Sequence, residues 1–229
     1  MSKKNIVTPK KGKVAKKETI WSKHASVKLD LGCGEAKQGP DWIGVDFRKS
    51  PNVDVVQNLK LFPWREIPDG VASLVMASHL LEHITKDSSN PQLSALIHLL
   101  EKKGLVTEKE IADTVGDHQF LSTFEKFMNE VWRITKYDGV FMISVPYAWS
   151  HGLAQDPTHT SPINESTFMY FDPLGKNPDG SLSNLYTIYR SLPWEILECN
   201  INPGGNLEVA LRKRRIDPSY RVEDNSKTN

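Results

Sequence analysis

The chain has 229 residues, 38% of them hydrophobic and 25% charged, with 29 Lys and Arg against 28 Asp and Glu. That length suits one α/β domain with a substantial core, and the composition excludes disordered, collagen-like and coiled-coil classes. No apolar run reaches the ~18 residues of a membrane helix, no apolar leader follows the basic N-terminus, and two cysteines make neither a disulfide framework nor a zinc site. A cytoplasmic setting is therefore expected.

The near-zero sum hides an asymmetry. Residues 1–28 hold nine Lys and one acid, Glu18, whereas residues 29–207 hold 14 basic and 23 acidic groups. Residues 1–25 are expected to be a flexible basic arm, too poor in large apolar groups to offset the entropy of ordering. Three readings of the arm stay open: a solvated tail, attachment to nucleic acid through its lysines, or attachment to an acidic protein. Residues 26–215 are expected to form the domain proper, and 216–229 a polar tail.

In chain order, Val27–Leu31 alternates apolar and polar residues and runs into Gly32-Cys33-Gly34, the pattern of a strand ending in a tight turn. Trp42–Asp46, Val53–Val56 and Val71–Met76 are further short strands. A helix is expected to begin at Leu80. Residues 86–117 read as a helical insertion, with Gly104 as a C-cap and a second helix starting at Thr107. A helix over about 120–136 places Phe120, Phe124, Phe127, Val131 and Ile134 on one face. Tyr137-Asp138-Gly139 reads as a turn into the strand Val140–Val145, stopped by Pro146. Trp194–Ile201 and Leu207–Leu211 flank Pro203-Gly204-Gly205-Asn206 as an antiparallel hairpin. The expected fold is α/β, a Rossmann-like, mostly parallel sheet with one antiparallel strand in the C-terminal hairpin. Only seven residues, 35–41, separate Gly34 from Trp42. A parallel crossover usually takes a dozen or more, so the first helix is cut to about a turn or residues 42–47 pair otherwise.

Strand, Gly-x-Gly, strand and terminal acid form the logic of a nucleotide site at the carboxyl ends of parallel strands. The third glycine of a pyrophosphate fingerprint would stand at Lys37, which weakens the reading as a nicotinamide-dependent oxidoreductase. Neither an Asn/Asp-Pro-Pro-aromatic motif nor a Pro-Cys nucleophile is present, which disfavours those two routes of DNA base methylation.

Leu29–Gly34, Ile43–Asp46 and Ala77-Ser-His-Leu-Leu-Glu-His-Ile84 resemble the class I S-adenosylmethionine-dependent methyltransferases, especially the type-11-like branch common in bacteria and phages. The resemblance continues through Asn129–Ile134, Asp138-Gly139, Ser144–Tyr147 and Gln155–His159. It implies a seven-stranded sheet with a shortened first helix, and S-adenosylmethionine as cofactor. It also implies that Asp30, Gly32 and Gly34 surround the methionine end of the cofactor, that Asp46 accepts from ribose hydroxyls, and that Phe47 packs on adenine. Asn58-Leu59 stands where the branch often carries Asp-Leu near the adenine edge, and Ser78 would face the methionine. The implied activity is direct in-line methyl transfer to an O or N acceptor of unknown identity, a reaction governed by alignment and needing neither covalent intermediate nor metal. The alternative is an inactive binder of the cofactor or its product, serving assembly or regulation.

A general base matters when the acceptor is a hydroxyl. The candidate bases are the histidines His79 and His83, and the expected catalytic residues are His79, Asp156 and His159. His79 and His83 lie four apart, which would place both on one helix face; His83 has a packing role as its other reading. No third metal ligand stands near that pair in sequence, so no metal is expected. Asp156-Pro157-Thr158-His159 either orients an acceptor or is a structural turn in which Asp156 binds backbone N–H groups. Tyr147, Trp149, His151, Phe168, Tyr170 and Phe171 line an acceptor pocket or form an unspecific apolar lid.

Overall fold

A computed structural model describes residues 19–24, 26–85, 99–100, 102–107 and 122–217. Seven strands form one sheet: β1 (Val27–Leu31), β2 (Trp42–Asp46), β3 (Val55–Val56), β4 (Ala72–Ser78), β5 (Thr135–Pro146), β6 (Trp194–Ile201) and β7 (Asn206–Lys213). Their order is β3-β2-β1-β4-β5-β7-β6. The pairings among β1 to β5 are parallel, while β7 runs antiparallel to both β5 and β6. The expected seven-stranded α/β sheet with one reversed strand is the observed fold.

Hydrophobic burial explains the centre of the sheet. In β1, Val27, Leu29 and Leu31 are buried, and so is Asp30 between them, because this strand is covered on both faces. In β7 only alternate residues, Leu207, Val209, Leu211 and Lys213, face inward. Lys213 occupies the last inward position as a cation. Its Nζ donates to the Thr135 carbonyl at 2.7 Å and lies 3.7 Å from the Trp132 ring centroid and 4.8 Å from that of Tyr137. Burial nonetheless pushes the Lys213 amine down to about 8.

Helix α1 (Thr123–Ile134) starts where Ser122 Oγ accepts from the Glu125 N–H and Glu125 accepts from the Ser122 N–H, a reciprocal cap. Phe124, Phe127, Met128, Val131 and Ile134 form its buried stripe, and each such side chain contributes roughly 1.5–3 kcal/mol on burial. Phe120 lies outside the described residues, as does most of the expected insertion, including the helix expected after Thr107. Within that insertion Gly104 does end a helix: it is left-handed at φ 63°, and the Leu105 N–H donates to the Leu100 carbonyl at 3.0 Å.

Three expectations change. Residues 32–41 contain turns and no helix, so the first crossover is more reduced than a single helical turn, while the parallel pairing of β1 and β2 holds. Tyr137-Asp138-Gly139 lies inside β5 rather than in a turn before it, with Asp138 left-handed at φ 64° where the register against β4 shifts. Residues 20–22, counted with the arm from sequence, form a short 3-10 helix whose Ile20 and Trp21 pack on the core.

Between β3 and β4 a loop does the work of a helix. Trp64 and Ile67 are buried there, with the Trp64 ring edge-on to Phe127 at 5.3 Å between centroids. Arg133 of α1 holds this loop by donating to the carbonyls of Trp64 and Ile67 at 3.0 and 2.9 Å. The short helices α2 (His151–Ala154), α3 (Glu165–Met169) and α4 (Tyr186–Tyr189) follow β5.

Candidate functional site

The carboxyl ends of β1 and β2 carry the Gly-x-Gly turn and Asp46. Both glycines are left-handed, Gly32 at φ 73° and Gly34 at φ 56°, which a side chain would strain. A Cβ at Gly32 would stand 3.0 Å from Leu80, whereas Gly34 faces nearly open space, with the Arg48 side chain 3.9 Å away. Asp46 is buried, and each of its oxygens accepts one backbone N–H: Oδ2 from Gly34 at 3.0 Å and Oδ1 from Arg48 at 2.9 Å. One carboxylate thus ties the glycine turn to the end of β2. A carboxylate offers about four acceptor positions, so two remain.

Phe47, next along, is 63% exposed. The Arg48 guanidinium lies 5.2 Å from its ring centroid. Asn58 is exposed beside this edge, held there by the Gln57 N–H donating to the Asp46 carbonyl, and its Oδ1 accepts from the Lys60 N–H. Leu59 is different: it is buried in the core, so its side chain packs rather than presenting a contact surface. Asp30 is buried and accepts from the Gln38 N–H at 2.9 Å, which fastens the crossover loop. Burial raises its pKa above the ordinary carboxylate value, with the Gln38 bond opposing the shift.

Two residues of this edge were not singled out for the work they do. A Cβ at Gly44 would collide with the Asn52 carbonyl oxygen and stand 2.8 Å from Cys33 Sγ. Asp54 accepts from both the Gly44 N–H at 2.8 Å and Lys37 Nζ at 2.7 Å. Lys37, which stands where a third glycine would be, therefore has a partner of its own. Burial and the charges of Asp30, Asp46 and Asp54 push the Cys33 thiol up to about 11, leaving no thiolate for chemistry at neutral pH.

The carboxyl end of β4 carries the histidines. Ser78 is half-buried at the last strand position, and the His79 N–H continues the ladder to the Ser144 carbonyl at 2.8 Å. The expected helix from Leu80 is only a 3-10 turn, Leu81–His83, and His79 precedes it in left-handed conformation at φ 51°. His79 and His83 therefore do not share a helix face. The His79 ring instead bridges two partners: Nδ1 lies 3.3 Å from Glu82 Oε1, and Nε2 lies 3.3 Å from Asn206 Nδ2 of the hairpin. The Asn206 amide nitrogen only donates, so Nε2 accepts and, in the neutral ring, the proton sits on Nδ1, facing Glu82 without a hydrogen bond.

Glu82 is fully buried, and neither of its oxygens has a hydrogen-bond partner among the described residues. His159 Nε2 lies 3.9 Å from Glu82 Oε1, although the two residues are far apart in sequence. The link is backbone: the N–H groups of Thr160 and Ser161 both donate to the Glu82 carbonyl, at 2.9 and 3.0 Å, and Ser161 Oγ donates to the Ile84 carbonyl. Sequence reasoning passed over Glu82, which no local spacing marks out.

Asp156 forms the structural turn that was one of its two readings. Its Oδ1 accepts from Thr158 Oγ1 at 2.7 Å and from the Thr158 N–H at 2.8 Å, and these bonds hold it below the ordinary carboxylate range. Its other oxygen lies 3.7 Å from His159 Nε2. The aromatic set divides: Phe168 and Phe171 belong to the core, Tyr147 and Tyr170 pack against it, and Trp149 is 82% exposed. The core pair cannot line an acceptor pocket. A recess of about 440 Å³ lined by Asn129, Trp132, Arg133, Tyr189 and Arg190 holds none of the residues expected at the site.

The fold and strand-end geometry define a Rossmann-like α/β protein with its polar groups gathered at the carboxyl edge of the parallel strands. No protein-family model and no curated protein sequence matches the chain. Among solved structures it is similar to the 16S rRNA (adenine(1408)-N(1))-methyltransferase of Catenulisporales acidiphilia, at 16% identity over 86% of this chain and 93% of the other, with a TM-score of 0.43. A variant of that enzyme with its cosubstrate SAM gives 15% identity over 86% and 90%, with a TM-score of 0.41. A protein assigned as a type 11 methyltransferase from Sulfolobus solfataricus gives 15% identity over 86% and 89%, with a TM-score of 0.42. No helix among the described residues is long and apolar enough to cross a membrane.

Proposed function

We propose that the chain is an S-adenosylmethionine-dependent methyltransferase that methylates an O or N acceptor, with His79 as the group that takes the acceptor's proton. The observation that carries this reading is the His79 ring, set at the carboxyl end of β4 with Nδ1 on buried Glu82 and its Nε2 lone pair beside Asn206. The same strand edge holds the Gly32–Gly34 turn and Asp46.

The residues present fit the cofactor. Asp46 keeps acceptor capacity for ribose hydroxyls, Gly34 leaves space for close backbone approach, and exposed Phe47 offers a ring for adenine. Asn58 would meet the adenine edge. Asp30 and Ser78 would hold the methionine end, Asp30 by keeping the crossover loop in position and Ser78 from the end of β4. Leu59 supports the strand end from the core. The bound cofactor supplies a methyl group on a sulfonium sulfur.

The chain's own part is alignment and proton handling. The Asn206 amide donates to Nε2, so Nε2 is the basic nitrogen, and Glu82 stands beside Nδ1. An acceptor hydroxyl that displaces the Asn206 amide would donate to Nε2 and give up its proton there, a contribution of typically 10²–10⁴-fold. His159, on the far side of Glu82, completes the set, and Asp156 holds the loop that delivers it.

Calorimetric titration with S-adenosylmethionine and S-adenosylhomocysteine tests the reading directly. Binding of both at micromolar to sub-millimolar levels is expected; failure of both to bind at millimolar concentration would sink it. Tritiated-methyl transfer into fractionated cell extract identifies the acceptor class. His79→Gln should retain S-adenosylhomocysteine affinity and lose transfer.

A further inference from the structure

We infer that Glu82, His83 and His159 form a binding site for a divalent transition-metal cation, of the two-histidine, one-carboxylate type. One ligand atom from each of the three lies within 4.8 Å of the others. Proximity alone would carry little weight, because ionisable groups often cluster. Three further features point to a cation.

The first is Glu82. A fully buried carboxylate with neither oxygen hydrogen-bonded is costly unless a positive charge compensates it. The second is the state of the two imidazoles. His159 Nδ1 lies 3.0 Å from the Leu153 carbonyl, which can only accept, so Nδ1 carries a proton and, in the neutral ring, Nε2 presents its lone pair. His83 Nδ1 lies 3.3 Å from the Thr158 carbonyl and 3.2 Å from Thr158 Oγ1, whose own proton goes to Asp156 at 2.7 Å. His83 Nδ1 is therefore also the donor, which in the neutral ring leaves the lone pair on Nε2. Metal-bound histidines are held in this way, one nitrogen donating to a carbonyl and the other ligating.

The third feature is the mismatch these tautomers create. His159 Nε2 and Glu82 Oε1, two lone-pair centres, face one another at 3.9 Å with nothing donating between them. Asp156 Oδ2 approaches the same nitrogen at 3.7 Å. A proton on Nε2 would turn both contacts into ion pairs, each too long for a hydrogen bond. A metal ion fits the gap better. Bonds of about 2.0–2.2 Å in tetrahedral array put ligand atoms about 3.4 Å apart, so the three need only draw together by side-chain rotation. The frame is already braced, since Thr160, Ser161 and Ser161 Oγ bind the backbone of Glu82 and Ile84.

Two imidazoles and one carboxylate select borderline ions such as Zn²⁺ over Mg²⁺ or Ca²⁺. Three protein ligands leave a fourth position, where a metal acts as a Lewis acid on an oxygen or nitrogen ligand. Metal binding itself does not depend on the methyltransferase reading.

The test uses the full chain, stripped with chelator and titrated with Zn²⁺ by calorimetry, with Mg²⁺ in parallel and Co²⁺ as an absorbing substitute. One equivalent of Zn²⁺ should bind at micromolar or tighter affinity, with Mg²⁺ at least a hundredfold weaker. Co²⁺ should give a visible band of a four- or five-coordinate site. His83→Ala, His159→Ala and Glu82→Gln should each weaken Zn²⁺ at least tenfold, whereas His24→Ala and His151→Ala should not. The inference is overturned if wild type binds no stoichiometric Zn²⁺, or if the three site variants bind as wild type does. Should the histidine variants fail to fold, the wild-type Co²⁺ band decides alone, and its absence overturns the site. S-adenosylhomocysteine titration of the same samples keeps the two readings apart. Zn²⁺ without S-adenosylhomocysteine binding removes the proposed function and leaves the metal site, and the reverse result does the opposite.

Discussion

Two regions at the same sheet edge are built on opposite plans. The glycine-turn region spans residues 30–58, and its ties run between near neighbours: Gly34 to Asp46, Gln38 to Asp30, Gly44 to Asp54. Its acids are satisfied by backbone N–H groups, so its shape is set before any ligand arrives. The histidine region joins Glu82 to His159 across the whole insertion and α1, and its central carboxylate has no hydrogen bond among the described residues. One region is complete in itself; the other leaves a buried carboxylate unsatisfied among the described residues. Binding sites that only position a ligand can be fully satisfied, whereas sites that handle protons or cations keep an unmet electrostatic demand.

The largest expected break is in the first region. Gly44→Ala forces a methyl group onto the Asn52 carbonyl and Cys33, and should cost about 3 kcal/mol of stability by thermal or urea unfolding. Asp46→Ala removes two backbone anchors along with the ribose acceptor. It should weaken S-adenosylhomocysteine by about 1.5–3 kcal/mol per charged bond in calorimetry. Asp46→Asn should fall between, and unchanged affinity in both would dissociate Asp46 from the site.

A place remote from both regions sharpens the contrast. Lys213 has a pKa lowered by burial to about 8 in the folded chain against 10.5 unfolded. The folded state thus binds fewer protons over that interval. The penalty is full below pH 8 and is relieved as pH rises to about 10.5, so wild type should gain on the order of 1–3 kcal/mol relative to Lys213→Met across that window. The Trp132 and Tyr137 rings oppose part of this. An equal pH slope in the two proteins would remove Lys213 from the account.

Smaller effects belong to the second region and the arm. In metal-free protein, Glu82→Gln exchanges a buried carboxylate with no hydrogen bond among the described residues for a neutral amide of the same shape. It should raise stability by about 1 kcal/mol while transfer falls; lower stability would mean the carboxylate is better solvated than its burial implies. Removing residues 1–18 should leave S-adenosylhomocysteine affinity unchanged while reducing retention on a nucleic-acid or acidic-protein matrix. The cut stops at 18 because Ile20 and Trp21 pack on the core.

The sheet was largely legible because each strand announces itself over four to eight residues. Val27–Leu31, Trp42–Asp46 and Trp194–Ile201 carry their pattern and their stop signals locally. The α1 stripe was legible for the same reason, through helical spacing alone. Tyr137-Asp138-Gly139 misled because its turn chemistry is real but is spent on an irregularity within β5. The His79/His83 spacing misled because a left-handed His79 rotates it off the following turn.

The sequence by itself determined the order of elements, the glycine turn with its terminal acid, and a basic segment joined to an acidic body. These rest on interactions a few residues long, which composition and spacing record. Only the tertiary structure decided that Glu82 is buried with no hydrogen bond among the described residues, that His159 faces it, and that Asn206 of the hairpin meets His79. The burial of Glu82 and its approach to His159 depend on where the loop after β5 crosses the end of β4. The crossing is set by backbone bonds from Thr160 and Ser161 to Glu82, and backbone groups are the same in every residue, so no side-chain pattern encodes it.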